Sequence, residues 1–379
     1  MSPSTVCTRP LRGVEAPLKS RPGGYLPIMA VATSRTAAPD TTLVSPTASQ
    51  IGRLDRTSTG QQMQEMFWEE ILQRRLGPAQ LAPPTEHDAA RAASGSCAAS
   101  NHVWRPDADH LSLPQLWQRL RAQATTAARG EPVLAMALQT AVLSHASLAV
   151  AVASLLASKL ASRTLLATPL TQLLTGLYAD DPELLEAASA DMQATTARDP
   201  ACEQELHCLL FSKGWQATQA HRAAHALWAR GRAALALALQ SRCSETFGVD
   251  IHPAARLGRG LLLDHGVGIV VGETCVIGDN VSLMQGVTLG GSGTGKGRRH
   301  PTVEHACLIS AGASVLGPVR IGHCSRVGAG SIVVADVPPH SLAVGVPARS
   351  IRHLPLSDRP CDSMEQGING GEGEADYII

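Results

Sequence analysis

Between Ile251 and Val333 an aliphatic residue returns every six positions, and this period limits the possible folds more than any other feature of the chain. The first series is Ile251, Leu257, Leu263, Ile269. After a slip of two residues it resumes at Val271, Ile277, Leu283 and Leu289, and after a long step at Val303, Ile309, Val315, Ile321, Val327 and Val333. Glycine often follows the aliphatic residue (Gly258, Gly272, Gly278, Gly290, Gly322, Gly328), and the fifth position is small or medium, as at Ala255, Cys275, Val287, Cys307, Ala313 and Ser325. Neither the helical period of 3.6 nor the strand period of 2.0 produces this pattern. A fixed longer repeat marks a solenoid. Each hexad supplies one short strand and one turn, three hexads close a triangular coil, and glycine permits the turn dihedrals. Residues 249–349 therefore read as a hexapeptide-repeat, left-handed parallel β-helix.

The 379 residues are enough for more than one domain. Aromatic content of 3% suits a prism filled by Val, Ile, Leu and Ala beside an Ala/Leu-rich helical region. Residues 61–76 have the pattern of an amphipathic helix, and the Ala, Pro and Ser of 77–101 read as linker, so that 61–108 is a linker with a short helix. From residue 109 the pattern changes. Leu113, Leu116, Trp117 and Leu120 share one helix face. Glu131-Pro132 opens a second helix expected to run on towards Leu160, since proline is tolerated in a first turn. Asp181-Pro182-Glu183 marks another start, with Asp181 as N-cap. A further helix is expected over 217–240, bent near Gly231. These helices are apolar on several faces, which calls for burial in a bundle or between subunits. His145, His207, His221 and His225 fall within them and read as structural or surface residues. The expected architecture is α+β: an N-terminal α-helical domain over 109–248, the β-helix over 249–349, and a flexible C-terminal tail over 350–379.

Net charge is zero, so no nucleic acid or membrane partner is expected from bulk electrostatics. The most apolar stretch, 141–160, is interrupted by Ser144, His145, Ser147, Ser154 and Lys159. Nine cysteines occur without a C-x-x-C pair and read as reduced structural thiols. The first fifty residues carry Arg9, Arg12, Lys19, Arg21 and Arg35 against only Glu15 and Asp40, among many Ser and Thr. An acid-poor, hydroxyl-rich, basic segment reads as a transit peptide for plastid or mitochondrion, assigned to residues 1–60, with a cytoplasmic location as the alternative.

Two breaks in the hexad rhythm can carry chemistry. One is Asp264-His265, directly after the inward Leu263. The other is the insertion between Leu289 and Val303, which contains Lys296, Arg298, Arg299 and His300. A neutral histidine backed by a carboxylate is a general base suited to deprotonating an alcohol, and Asp250 before the first coil is a candidate for that carboxylate. Arginine clamps carboxylates through paired hydrogen bonds. Other readings of the same residues remain. Gly290 to Lys296 matches a bare G-x-x-x-x-G-K phosphate-loop pattern, but Gly297 stands where Ser or Thr would hold magnesium, and no helix is expected to follow. The spacing of His300 and His305 is compatible with zinc ligation, although no third histidine is clearly placed. A purely structural prism is the blandest reading.

Taken together, several stretches resemble the serine acetyltransferases. They are Val249-Asp-Ile-His-Pro-Ala-Ala-Arg256, Leu263-Asp-His-Gly266, Val271-Gly-Glu-Thr274, Gly286-Val-Thr-Leu-Gly-Gly291, Arg299-His-Pro301 and Gly345-Val-Pro-Ala-Arg349. In the helical half, Arg198-Asp-Pro-Ala-Cys202 and Leu237-Ala-Leu-Gln-Ser-Arg242 are similar to the plant members. The resemblance implies acetyl transfer from acetyl-CoA to the hydroxyl of L-serine, with direct attack on the thioester and no metal. By the same resemblance His265 is the base and Asp250 orients its imidazole. Asp199 and Asp264 hold the substrate amino group, and Arg299 and His300 bind its carboxylate. Gly290, Gly291, Lys296, Ala311 and Ala329 are the expected cofactor contacts, small residues and backbone suiting an extended pantetheine arm. Arg298 stands where many members have aspartate. The resemblance further implies a homohexamer, a dimer of trimers joined through the helical domains. It also implies capture of O-acetylserine sulfhydrylase by the C-terminal Ile379, a cysteine synthase complex. Competing functions are O-acyl transfer to a sugar or small alcohol, a metal-dependent hydratase like the β-helical carbonic anhydrases, and a non-catalytic scaffold.

Overall fold

In a computed structural model, residues 110–295 and 297–366 are described; the expectations for residues 1–60, 61–76 and 77–101 lie outside them. Helix α1 (Leu113–Gly130) buries Leu116, Leu120 and Ala124, one stripe at four-residue spacing, and the Gln115 side chain accepts the Ser112 N–H at its start (3.0 Å). The helix expected from Pro132 to Leu160 is instead two, α2 (Pro132–Leu143) and α3 (Leu148–Leu160), meeting at 119°. Arg121 reaches from α1 to the carbonyls of Leu143 (3.2 Å) and His145 (3.1 Å), and Ser147 caps α3 by accepting the Val150 N–H. An arginine remote in sequence satisfies the chain reversal, so local apolar spacing carried no sign of it.

Three further helices follow: α4 (Ala167–Asp180), α5 (Pro182–Arg198) and the short α6 (Glu205–Phe211). Asp181 caps α5 as expected, accepting the Glu183 N–H at 3.2 Å. The single bent helix expected over 217–240 is also two, α7 (Lys213–Ala229) and α8 (Ala233–Phe247). Gly231 between them adopts φ 75°, a left-handed conformation that ends a helix rather than bending it. No single described helix is long and apolar enough to cross a membrane.

The solenoid has three parallel faces. Face A stacks β1 (Asp250–Ile251), β4 (Val270–Val271), β7 (Thr288–Gly290), β10 (Ser314–Leu316) and β13 (Ile332–Val333). Face B stacks β2 (Arg256–Leu257), β5 (Val276–Ile277), β8 (Thr302–Val303) and β11 (Arg320–Ile321). Face C stacks β3 (Leu262–Leu263), β6 (Ser282–Leu283), β9 (Leu308–Ile309), β12 (Arg326–Val327) and β14 (Ser341–Gly345), with β15 (Ala348–His353) antiparallel at its end. This is the left-handed parallel β-helix that the period implied. The inward aliphatics Ile251, Leu263, Val271, Ile277, Leu289, Val303, Ile309, Val315, Ile321 and Val327 are buried, each contributing about 1.5–3 kcal/mol by removal from water.

Helices and solenoid share one core, and a buried ion pair joins them. Arg222 of α7 donates from Nε and Nη2 to the carboxylate of Asp191 on α5 (both 2.9 Å) and from Nη2 to the Gly258 carbonyl (2.6 Å). Asp191 also accepts the Leu261 N–H (2.9 Å). Every partner is hydrogen-bonded, which is what makes a buried pair tolerable. The expectation of a flexible tail from residue 350 is corrected for residues 350–366. β15 pairs with β14, and a short helix α9 (Pro360–Ser363) packs on face C with Pro360 and Cys361 buried. The composition of this segment is polar, but tertiary partners described below hold it.

Candidate active site

The two-residue slip in the hexads lies in the corner that leads from face C to face A. Register pairs Ile251 with Val271, so the step from Leu263 to Val271 is eight residues. The corners above it, Leu283 to Leu289, Ile309 to Val315 and Val327 to Val333, take six. The two extra residues extrude Asp264-His265-Gly266. His265 adopts φ 56°, a left-handed conformation that costs a non-glycine residue on the order of 1 kcal/mol, and its side chain is 72% exposed. Asn280, Ala306, Cys324, His340 and Met364 share this conformation, but among these described residues only His265 is exposed.

The N-terminal turn of α7 presses on this corner. A Cβ at Gly214 would lie 1.9 Å from the Leu263 carbonyl oxygen, so only glycine permits the approach. Between helices and corner opens a cavity of about 610 Å³ lined by Asp199, Cys202, His207, Phe211, Lys213, Asp264 and His265, among others. Asp199 ends α5, and its Oδ1 accepts the Ala201 N–H (2.9 Å). His265 Nε2 lies 3.7 Å from Asp264 Oδ1. Burial pushes the Asp264 carboxyl up from its ordinary value; the neighbouring Asp199 adds to this, and His265 opposes it. Two carboxylates that disfavour each other's charge form a natural seat for a cation.

Asp250 borders the same corner at the head of β1, one residue beyond Val249, whose side chain lies under Gly266. Its Oδ1 accepts from Gln240 Nε2 at 2.7 Å, so within this chain the carboxylate against the His265 imidazole is Asp264. Above His265 the corners form a ladder of small residues. Gly286 N–H donates to Val267, Gly312 N–H to Gln285 and Gly330 N–H to Ala311, at 2.8–2.9 Å. The ladder places Ala311 and Ala329 on the same edge of the solenoid as His265.

Arg299 and His300 stand at the opposite edge of face A, in the insertion between β7 and β8. Here Thr274 is the organiser. Its Oγ accepts the N–H groups of Arg299 (3.1 Å) and His300 (3.2 Å) and lies 2.8 Å from His300 Nδ1. The Thr274 N–H also donates to Nδ1 (3.2 Å), which leaves the imidazole proton on Nε2. Burial, then the Arg299 charge, holds the His300 pKa below the ordinary histidine value, so the ring is a neutral Nε2–H donor. Arg299 donates to Glu273 at 2.9 Å. Gly291 lies against His300 Nε2, and Gly290 ends β7 beside Leu316. Arg298 turns away to Thr302 (2.7 Å) and lines a separate groove on face B.

The structure therefore gathers Asp199, Asp264 and His265, with Asp250 nearby, and gathers Arg299 and His300 separately. Among the described residues no hydrogen bond or ion pair links the two groups. Lys296 and Ile379 lie outside the described residues. A strand rather than a helix follows the Gly290-to-Lys296 pattern, which removes the phosphate-loop reading. His300 and His305 flank β8 on opposite corners, and among the described residues no three His, Cys, Asp or Glu side chains converge as metal ligands. Sequence reasoning assigned no role to Thr274, Gly214, His207 or Lys213. Thr274 stood within a quoted motif, but its task emerges only when two coils stack.

A family profile described as "Serine acetyltransferase, N-terminal" matches residues 116–220. The chain is similar to the serine acetyltransferase of Salmonella typhimurium, 46% identical over 258 residues that span 68% of this chain and 94% of the relative. It is similar to serine acetyltransferase 5 of Arabidopsis thaliana, 48% identical over 304 residues, 79% of this chain and 95% of the relative. Among solved structures it is similar to soybean serine acetyltransferase complexed with serine. There the identity is 50% and the TM-score 0.62, over 65% of this chain and all of that one.

Proposed function

The chain belongs to the serine acetyltransferase family, and on that premise we propose how its two solenoid breaks share one reaction. The chain transfers the acetyl group of acetyl-CoA to the hydroxyl of L-serine, giving O-acetylserine and coenzyme A, a step towards cysteine. The observation that carries the proposed mechanism is the exposed, left-handed His265 that shares one cavity with the carboxylates of Asp199 and Asp264. Asp199 and Asp264 seat the serine ammonium. His265 takes the hydroxyl proton as the oxygen attacks the thioester carbonyl, and the sulfur leaves as thiolate once the carbon–sulfur bond breaks. By the family resemblance Asp250 orients the imidazole, in addition to Asp264 beside it. The solenoid edge that carries Ala311 and Ala329 takes the pantetheine arm, and Gly290, Gly291 and Lys296 are the further cofactor contacts that the family resemblance implies.

Arg299 and the Nε2–H of His300 bind the serine carboxylate. Since they occupy the far edge of face A, they serve the His265 of a neighbouring prism, and three prisms complete three sites. Val267 and Val270, exposed beside the corner, support that packing. Val133 and Met136, exposed on α2, support the joining of two trimers through the helical domains into a homohexamer. The C-terminal Ile379 presents a free carboxylate on an apolar residue, suited to the amino-acid pocket of O-acetylserine sulfhydrylase. The basic, acid-poor residues 1–60 support import into plastid or mitochondrion, with a cytoplasmic location as the alternative, and a fluorescent fusion separates these.

One experiment tests the shared site: thiol release from acetyl-CoA with L-serine. Native chain releases thiol only with serine and is unaffected by chelator, whereas His265→Ala and Arg299→Ala are each nearly silent. Random co-assembly of the two variants restores about a quarter of native sites, as expected where base and clamp come from different copies. No recovery on mixing would reject the shared site, and serine-independent release would reject the mechanism.

A further inference from the structure

The segment after the solenoid is fastened to the residue that precedes Asp199. Residues 354–366 cross face C and meet both domains. The Cys361 carbonyl accepts from Ser282 Oγ (2.9 Å), and Arg326, fully buried on β12, lies 3.2 Å from Glu365 and 3.7 Å from Asp358. The contact of most consequence is at Arg198, the last residue of α5. Its guanidinium donates from Nε to Asp362 Oδ1 (2.9 Å), from Nη1 to the Gly260 carbonyl (2.9 Å) and from Nη2 to Asn280 Oδ1 (3.1 Å). The Arg198 side chain is 5% exposed, and Asp362 is the carboxylate paired with it. The next residue is Asp199, whose side chain lines the cavity with Asp264 and His265.

We propose that Asp362 is a positioning residue for serine: by neutralising and orienting Arg198 it fixes the end of α5, and with it the carboxylate of Asp199 that seats the ammonium. The inference rests on the reading of Asp199 given above. Without the Asp362 carboxylate Arg198 keeps its bonds to Gly260 and Asn280 but its buried charge is left unpaired, at the residue directly before Asp199. Asp199 is otherwise held by local bonds: its N–H donates to the Thr195 carbonyl, its Oδ1 accepts the Ala201 N–H and its carbonyl accepts the Cys202 N–H. The proposed acetyl-CoA contacts, Ala311 and Ala329, make no contact with Arg198 or Asp362 among the hydrogen bonds and ion pairs of the described residues, so acetyl-CoA binding does not depend on this link. Asp362 therefore acts on one substrate, although it lies in a segment whose composition reads as tail.

Steady-state kinetics of the full chain with both substrates varied tests this. In Asp362→Asn the KM for serine rises roughly tenfold, since a sub-ångström shift of a binding group is enough for that, while the KM for acetyl-CoA stays within about twofold. Asp362→Glu restores most of the loss. Arg198→Lys keeps the charge but loses the fork and gives the same split by an independent route. Asp199→Asn is the control, and it too must raise the serine KM. A silent control overturns the reading of Asp199 and the inference with it. A responsive control with unchanged serine KM in both Asp362→Asn and Arg198→Lys, or with both KM values moving together, overturns the inference alone. A fall in melting temperature with no change in serine KM likewise shows a purely structural contact.

Discussion

Thr274 shows how much one hydroxyl can decide. It gathers two backbone N–H groups and an imidazole nitrogen, thereby fixing both the path of the insertion and the tautomer of His300. Thr274→Val keeps the shape and removes those bonds. Leaving buried donors unpaired costs about 1–3 kcal/mol, so the serine KM should rise about tenfold or more while the acetyl-CoA KM changes little. Initial rates at varied serine check this, and an unchanged serine KM would show that the insertion holds its own shape. His265 was legible from sequence because a polar pair interrupted an apolar period. Thr274 was not, because its partners lie a full coil away, and spacing along the chain does not report coil stacking.

Among the elements, α7 carries the greatest structural burden. Its first turn pins the His265 corner through Gly214, and Arg222 joins the helical domain to the first coil. His221, on the same helix, is buried, and its pKa is lowered to about 3, first by desolvation and then by the His225 and Arg222 charges. The folded state thus favours neutral His221. Its contribution is intact above the unfolded value of about 6.5 and is lost as pH falls from there towards about 3, on the order of 5 kcal/mol in all. Urea midpoints measured from pH 7.5 to 5 should fall more steeply for the native chain than for His221→Gln, which has no proton to gain. Parallel curves would assign the acid sensitivity to other groups. The helical half was read less well than the solenoid. Amphipathic spacing located its helices, but the breaks at Ser144 and Gly231 depended on Arg121 and on a left-handed glycine.

For the whole molecule, the proposed division of labour separates catalysis from partner capture. The segment to residue 366 is fastened to face C and α5, and the chain beyond it ends in Ile379. Deleting the last few residues should abolish capture by O-acetylserine sulfhydrylase and leave serine-dependent thiol release within about twofold, because no proposed site residue is removed. Pull-down and activity measured on one preparation check both halves. Undiminished capture by the truncated chain would place the docking surface elsewhere.

The sequence by itself determined the solenoid, since a six-residue aliphatic period admits no other economical burial. It also marked both proposed sites of chemistry, as insertions that a regular prism would not need. Tertiary structure alone decided that these insertions stand on opposite edges of one face. It likewise decided that Asp264 rather than Asp250 meets the imidazole within a chain, and that an apparent tail is fastened to Arg198, next to Asp199. The reason is physical. Burial of apolar side chains is periodic and can be read along the chain, whereas the pairing of charges and hydrogen bonds depends on which coils and helices come to lie side by side.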